Sequence, residues 1–262
     1  MKISICCSKS MENSIKVSEK LVKIFDDTSV DYDILDIDSL KQGADIVFVI
    51  GGDGSILKTA RFFAEFDVPI LGINLGRLGF LSQTSPDNLE ESVRRILNND
   101  YSVEKRMMLK AGSYTALNDF VIKGGLTGRT SRFALEINDK FVCEYLADGI
   151  IISTPTGSTA YGMAAGGPIL APDADVISVV PICPHTFSAR PIVVSADDKI
   201  RILSVKNNEY KVSADGQVAF NLIEDLLIER YEKQASLILF KDTDFYKIIR
   251  NKLQWAVSPA KI

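Results

Sequence analysis

The chain has 262 residues, of which 46% are hydrophobic and 24% are charged, and this composition excludes an intrinsically disordered protein. Its length allows one large domain or two smaller ones. Thirty Lys and Arg residues against 34 Asp and Glu residues give a formal charge of -4. That balance argues against a broad surface for binding nucleic acid or anionic membranes, although it is compatible with a local basic pocket.

Cysteine and histidine usage excludes several kinds of site. The four cysteines, Cys6, Cys7, Cys143 and Cys183, form no CxxC pair, so neither a zinc site nor a disulfide framework is predicted. With His185 as the single histidine, a His-rich metal site is excluded, and we interpret it as a structural loop residue. The short apolar run near the N-terminus and the lack of ~18 uninterrupted apolar residues predict neither a signal peptide nor a membrane span. We therefore expect a cytoplasmic protein with reduced thiols and no membrane partner.

The first hundred residues alternate short apolar runs with amphipathic segments, which is typical of a parallel sheet flanked by helices. Strands are predicted over 3–7, 32–37, 45–50 and 68–73, and helices over 14–25 and 55–66. A third helix is predicted to begin at Pro86, to be capped by Ser85 and to end at Asn98-Asn99.

From residue 101 the pattern changes to short strands separated by turn residues, which predicts a mostly β second domain. These strands are predicted over 108–114, 120–123, 133–137, 141–145, 149–153, 176–180, 192–194, 200–205, 210–212, 226–231 and 236–240. An Asn138-Asp139 turn and a final helix over 245–253 complete the pattern. Because no Pro, Gly or Ser linker marks the boundary, we expect two closely packed halves.

The Gly51-Gly52-Asp53-Gly54 turn lies between a buried strand and a helix, at the edge of the sheet where α/β proteins bind ligands. Its glycines allow positive φ and a close approach of backbone N–H groups to a phosphate, while the helix start favours negative charge. Asp53 is a candidate general base or magnesium ligand. The alternative is a tight turn with an N-capping Asp.

The longest polar motif, DGIIISTPTGSTAYG, runs from an apolar strand into five hydroxyl residues and Tyr161. Hydroxyls and N–H groups at a helix start predict a neutral polar cradle for ribose and phosphate oxygens, with Tyr161 stacking on a base. A Ser/Thr capping turn is the alternative, but it accounts for only one or two of the hydroxyls. Neither a GxxxxGK[ST] loop nor a GxGxxG fingerprint is present, so any nucleotide site must use another geometry.

The motifs that carry a family resemblance are, in chain order, GGDG, NLGRLGFL, Asn118-Asp119, DGIIISTPTGSTAYGMAAGGPI, PHTFSARP and Asp215-Gly216-Gln217. Together, these motifs resemble those of the NAD kinase family across nearly the whole chain. The resemblance implies transfer of the γ-phosphoryl group of ATP to the 2'-hydroxyl of the adenosine ribose of NAD, with Mg²⁺ or another divalent cation, to give NADP. It also implies an α/β plus β fold: a Rossmann-like domain over 1–100 packed on a mostly β sandwich domain over 101–240 that binds NAD. Residues 241–262 would return to the first domain, and a homodimer or homotetramer would form.

The resemblance assigns roles to individual residues. Asp53 matches the proton acceptor, Gly54 a backbone contact, and Lys58 a basic position that meets a phosphate. Positions implied to bind the dinucleotide are Asn118, Asp119, Arg129, Asp148, Thr159, Ala160, Tyr161, Ala164 and Gln217. No protein side chain is assigned as a dedicated metal ligand.

Two other hypotheses stay open at the level of sequence. GGDG is shared with lipid and sugar kinases, although the hydroxyl-rich motif and the lack of a membrane-binding apolar segment argue against such a substrate. A non-catalytic NAD(P)-binding sensor would have no need of the base Asp53.

Overall fold

The computed structural model describes residues 1–28, 30–76, 79–124, 130–203, 210–222, 225–241 and 243–255. Two compact units can be distinguished. The first comprises Met1–Ile56, Ile70–Glu104 and Leu237–Ile262, and the second comprises Leu57–Pro69 and Lys105–Ser236.

The strands and helices follow one another along the chain as listed here. The strands are β1 (Lys2–Cys7), β2 (Asp31–Asp36), β3 (Ile46–Ile50), β4 (Ile70–Ile73), β5 (Ser102–Ala111), β6 (Tyr114–Ala116), β7 (Asp119–Gly124), β8 (Ser131–Ile137), β9 (Lys140–Ala147), β10 (Gly149–Ser153), β11 (Val176–Ile182), β12 (Ile192–Ser195), β13 (Ile200–Leu203), β14 (Tyr210–Ala214), β15 (Val218–Leu222) and β16 (Leu226–Leu239). The helices are α1 (Glu12–Thr28), α2 (Asp53–Ala64), α3 (Leu89–Leu97), α4 (Tyr161–Ala164) and α5 (Phe245–Leu253), with a 3-10 turn over Thr156–Thr159.

The first unit is built on a parallel sheet in the order β2-β1-β3-β4. Every residue of β3 is buried, as expected for a strand covered on both faces by helices. The apolar stripe of α1, formed by Val17, Leu21 and Phe25, packs into this core, where the Phe25 ring meets Phe48 edge-on. The strand β3 is therefore packed into the core up to its last residue, directly before the GGDG turn.

The second unit contains two antiparallel sheets. One has the order β12-β11-β10-β7-β14-β15, and the other includes β13 between β16 and β8, with β9 beside β8. Their facing side chains form one apolar core, which includes Phe120, Ile122, Ile150 and Ile152 from the first sheet and Phe133, Leu135, Ile200 and Ile202 from the second. The predicted fold class, an α/β part followed by a mostly β sandwich with a final helix, is confirmed, and α5 belongs to the first unit.

Several predicted elements are corrected. Helix α3 begins at Leu89 with Asn88 at its N-cap, because Ser85 and Pro86 form a preceding turn in which the Asn88 N–H donates to the Ser85 carbonyl. The predicted strand 108–114 is a hairpin of β5 and β6, since Gly112 has a positive φ of 58°. Strands predicted over 226–231 and 236–240 are one strand, β16. The strand β15 was not predicted.

In the described part of the chain, no helix combines the length and the apolar character that crossing a membrane requires.

Candidate functional site

The GGDG turn joins β3 to α2. The Gly51 N–H donates to the Ile73 carbonyl at 2.9 Å, which holds the turn against the end of β4. The Gly52 carbonyl accepts the Ser55 and Ile56 N–H groups and so starts the helix. Asp53 is the first helical residue, and α2 begins two residues earlier than the sequence predicts.

The reason for glycine in this turn is space rather than left-handed backbone. Positive φ occurs at Gly43, Gly112, Gly166 and Gly216 among the described glycines, so the positive φ that glycine allows is not used in GGDG. A Cβ at Gly51 would lie 2.7 Å from the Ser55 Cβ, whereas a Cβ at Gly52 would meet nothing within 4 Å. Gly52 therefore leaves open surface beside the start of α2.

The Asp53 carboxylate has one oxygen engaged and one without a partner. Its Oδ2 accepts the Phe80 N–H at 3.3 Å. Its Oδ1 is buried and has no hydrogen-bond partner among the described residues. A Cβ at Gly79 would lie 2.6 Å from the Asp53 Cγ, so only glycine fits beside this carboxylate. The arrangement orients Asp53 and leaves one acceptor oxygen uncommitted.

In the second unit, the turn Leu117–Asp119 leads into β7 and is held by a buried carboxylate. The Asp215 side chain accepts the N–H groups of Leu117, Asn118 and Asp119 at 3.0, 2.7 and 3.1 Å. In return, the Asp215 N–H donates to the Asp119 carbonyl at 2.9 Å. The backbone that presents Asn118 and Asp119 is therefore fixed by Asp215.

Asp215 sits in the hairpin turn between β14 and β15. It and Gly216 both have positive φ, 51° and 65°, and the Gln217 N–H donates to the Ala214 carbonyl, as in a type I′ turn. Arg61 of α2 donates to Asp215 Oδ2 at 3.1 Å and to Gln217 Oε1 at 2.6 Å. The positive charge of Arg61 thus compensates the fully buried Asp215 side chain.

The two carboxyl groups of this network are electrostatically perturbed. Burial, together with the neighbouring Asp215, raises the pKa of Asp119 to about 7. Burial also raises the pKa of Asp215, and the three backbone N–H donors and Arg61 oppose that rise. Asp119 consequently titrates near neutral pH.

The hydroxyl-rich motif folds as β10, the 3-10 turn and α4. Four of its hydroxyls are buried and bond within the protein, which contradicts the prediction of a cradle open to a ligand. Thr154 Oγ1 donates to the Leu117 carbonyl at 2.6 Å, Ser153 Oγ bonds to the Asn118 carbonyl, Ser158 Oγ donates to the Pro155 carbonyl, and Thr156 Oγ1 accepts from Arg106. These hydroxyls stabilise the turn Leu117–Asp119 and the loop beside it, instead of facing a ligand.

A cavity of about 420 Å³ opens over β7 and β14, and we call it the β7–β14 cavity. It is lined by Asn118, Asp119, Val121, Lys123, Ala160, Tyr161, Lys211, Val212, Ser213, Asp215, Gly216 and Ala219. Four of the residues predicted to bind a dinucleotide, Asn118, Asp119, Ala160 and Tyr161, therefore meet at one cavity of a size suited to a small ligand.

The other predicted residues lie elsewhere. Thr159 and Ala164 flank Ala160 and Tyr161 in the chain, on the 3-10 turn and on α4. Asp148 is exposed at the start of β10, and Gln217 is engaged by Arg61. Lys58 is half-buried on α2, and Gly54 follows Asp53 in the same helix. Arg129 lies outside the described residues.

Sequence reasoning missed Lys123, Lys211 and Arg61. Lys211 occupies a polar position of the alternating strand β14, and Lys123 follows four buried residues of β7, so each signals only an exposed position. Arg61 lies on a helix whose partner, Asp215, is 154 positions away in sequence. Asp215-Gly216 was recognisable as a turn signal, but its hydrogen bonds to Leu117–Asp119 were not.

Comparisons with known proteins agree with this geometry. Residues 3–101 match the family model described as ATP-NAD kinase N-terminal domain, and residues 117–234 match that of the ATP-NAD kinase C-terminal domain. The chain is 40% identical over 236 residues to an NAD kinase of Tolumonas auensis, covering 85% of this chain and 80% of the relative. It is 39% identical over 249 residues to an NAD kinase of Clostridium botulinum, covering 91% and 86%.

Solved structures show the same fold. An NAD kinase from Archaeoglobus fulgidus in complex with ATP superposes with a TM-score of 0.80 at 26% identity, covering 97% of this chain and 99% of the other. Yeast NADH kinase complexed with NADH gives a TM-score of 0.85 at 21% identity, covering 98% and 89%, and supports the fold alone. Because both family models match and the relatives exceed 30% identity over most of their length, the chain belongs to the NAD kinase family, whose reaction is the phosphorylation of NAD to NADP by ATP.

Proposed function

We propose that this chain transfers the γ-phosphoryl group of ATP to the 2'-hydroxyl of the adenosine ribose of NAD, with Asp53 as the general base. The observation that carries the proposal is the Asp53 carboxylate, held through Oδ2 by the Phe80 N–H while its buried Oδ1 has no partner among the described residues. A base must keep an oxygen available to accept a proton, and this one does.

In the proposed reaction, Asp53 takes the proton of the 2'-hydroxyl as that oxygen forms a bond to the γ-phosphorus. The bond between the γ-phosphorus and the β,γ-bridging oxygen breaks, and ADP leaves. Positioning and electrostatics dominate phosphoryl transfer, so no covalent intermediate on the protein is needed. Gly54 and Lys58, in the same helix as Asp53, would contact phosphate groups.

The β7–β14 cavity is the proposed seat of the dinucleotide. Asn118, Asp119, Ala160 and Tyr161 line it, and Tyr161 offers an aromatic ring that is 38% exposed. Thr159 and Ala164 extend the same segment. Arg129, Asp148 and Gln217 are also proposed to contact the dinucleotide, because their positions match those of the NAD kinase family motifs.

The residues present fit a divalent cation that arrives with the triphosphate as the substrate complex MgATP. Within the described ranges, no group of three His, Cys, Asp or Glu side chains could hold a metal ion. Mg²⁺ in kinase sites keeps several waters and binds the substrate phosphates with few protein carboxylates, so it needs no dedicated ligand cluster, and Asp53 Oδ1 stays available for the proton of the 2'-hydroxyl. The cation would neutralise the negative charge of the phosphate groups.

We further propose a cytoplasmic location and a homodimer or homotetramer. The free thiols of Cys6 and Cys7, buried in β1, support a reducing compartment. Phe141 and Val142 on β9, 65% and 44% exposed, support a self-association surface. Light scattering on the purified protein would give the subunit number.

The test of the proposed reaction is Asp53→Asn. Loss of a general base lowers turnover by a factor of ~10²–10⁴, while the affinity for NAD measured by calorimetry should change little. NADP formation from NAD and MgATP is the readout. Asp87→Asn, on the exposed surface of the first unit, is the matched control and should retain parental turnover. Equal turnover in Asp53→Asn and the parent would exclude the proposed role.

A parent protein that binds NAD but forms no NADP under these conditions would be a sensor, and the proposed activity would be wrong. NADP formation with no phosphorylation of lipid or sugar alcohols would exclude the other kinase hypothesis.

A further inference from the structure

Two lysines face each other across adjacent strands in the β7–β14 cavity. The register of the antiparallel pair β7 and β14 places Lys123 directly opposite Lys211. Both are exposed, and both line the cavity. Like charges directly opposite each other destabilise a sheet, so this pairing is unfavourable unless something else offsets it.

The sheet itself supplies no neutralising charge for this pair. The opposite neighbours on the outer sides are Gly149 on β10 and Asn221 on β15, both uncharged. Among the described residues, neither lysine forms an ion pair with a carboxylate. Gly149 also leaves space for the lysine, since a Cβ there would lie 3.3 Å from the Lys123 Cγ.

The lysines form one end of a cavity whose other end is acidic. Asp119 lies on the same face of β7 as Lys123, four residues away, which is about 13 Å at the usual strand rise. Tyr161 lies beside the lysine end, with the Lys123 Nζ 5.4 Å from its ring centroid. The cavity therefore offers carboxyl groups at one end, and an aromatic face and two cations at the other.

We propose that the Lys123–Lys211 pair is an anion subsite that binds a phosphoryl group of the dinucleotide seated in the β7–β14 cavity. Two ammonium groups side by side suit the oxygens of a phosphate or pyrophosphate, for which Lys acts as a point charge. The carboxyl end then faces the hydroxyl and amino groups of the nucleoside, which donate hydrogen bonds. The subsite rests on the proposed function, because the dinucleotide is its ligand.

The test is calorimetric titration of the full chain and of the double variant Lys123→Gln/Lys211→Gln. NAD should bind about tenfold more weakly to the variant, and adenosine, which has no phosphate, should bind equally to both proteins. The NAD affinity of the parent should fall more steeply with salt than that of the variant, because charge pairs exposed to solvent are screened. The control is Lys140→Gln/Lys233→Gln, which removes two other exposed lysines and should leave NAD binding unchanged.

Titration with NADP and ATP identifies the phosphoryl group. An equal loss for NAD and NADP assigns the pyrophosphate to the subsite, whereas a loss confined to NADP assigns the 2'-phosphate, and either result supports a dinucleotide phosphoryl subsite. A loss confined to ATP overturns it, as does affinity for both NAD and NADP within twofold of the parent. An equal loss for adenosine would mean that the substitutions deform the cavity, and that result also overturns the proposal.

The two proposals fail in different ways. A parent protein that forms no NADP defeats the proposed reaction, yet NAD affinity still reports on the lysines. A parent protein that forms NADP, paired with a double variant of unchanged affinity for NAD and NADP, defeats the subsite alone.

Discussion

Asp119 is a cavity-lining residue whose charge depends on pH in the folded protein. Its side chain is buried beside Asp215, and the pKa of Asp119 is raised to about 7 from an ordinary value near 3.8. Below the ordinary value, the carboxyl is protonated in both the folded and the unfolded chain. Between pH 4 and 7 only the unfolded chain has released the proton, so the free energy of unfolding falls as pH rises through this interval.

Asp119→Asn should remove that loss of stability. The free energy of unfolding of the variant relative to the parent should increase by about 2–4 kcal/mol between pH 4 and 7, because Asn has no proton to release. Urea denaturation of both proteins at several pH values measures this difference. Asp139→Asn, on an exposed turn, is the control. Parallel stability profiles for Asp119→Asn and the parent would contradict the raised pKa.

At the scale of elements, the 3-10 turn Thr156–Thr159 supports the edge of the cavity. Gly157 lies so close to the turn Leu117–Asp119 that a Cβ there would be 2.5 Å from the Asn118 carbonyl carbon. Gly157→Ala should therefore displace Asn118 and weaken NAD binding at least tenfold, as measured by calorimetry. At Gly162 a Cβ would be 3.8 Å from its nearest neighbour, so Gly162→Ala is the matched control. Unchanged affinity in Gly157→Ala would show that the turn does not position Asn118.

Elements with a strong local signal could be predicted from sequence. Strand β10 was predicted at its observed bounds because an apolar run ends at hydroxyl residues, and α5 because its apolar positions recur at helical spacing. The continuity of β16 could not be predicted from sequence, because its charged middle does not alternate apolar and polar residues. That part of the strand is held by pairing with residues distant in the sequence. The start of α3 was missed because Ser85-Pro86 also fits a turn.

The candidate site was predictable only in part, because some of its residues meet through contacts between segments that are distant in the sequence. Asn118, Asp119 and Tyr161 could be found because their motifs are local in the chain. Lys123 and Lys211 meet through strand register, which depends on the paired strands and not on either segment alone. The inward hydrogen bonds of the Ser153–Ser158 hydroxyls were equally invisible, since their partners come from other segments.

At the scale of the whole molecule, the second unit is discontinuous in sequence. It includes Leu57–Pro69, a segment of α2 and the residues after it, together with Lys105–Ser236. Within this unit Arg61 pairs with Asp215, Glu65 accepts from the Tyr231 hydroxyl at 2.5 Å, and Asp67 accepts from Ser236 at 2.9 Å. The domain boundaries predicted at residues 100 and 240 stay a prediction, and these contacts provide a direct way to test them.

The contacts of Leu57–Pro69 predict that residues 101–240 expressed alone do not fold cooperatively. The fragment lacks Arg61, and leaving a buried carboxylate such as Asp215 without its partner costs about 3–5 kcal/mol, a large share of the ~5–15 kcal/mol that stabilises a domain. In the full chain, Arg61→Gln should lower the free energy of unfolding by about that amount in urea denaturation. Arg132→Gln removes a solvent-exposed pair with Glu144 and should cost less than ~1 kcal/mol. A cooperative unfolding transition in the fragment, or equal stability of the two Arg variants, would show that Leu57–Pro69 is dispensable to the second unit.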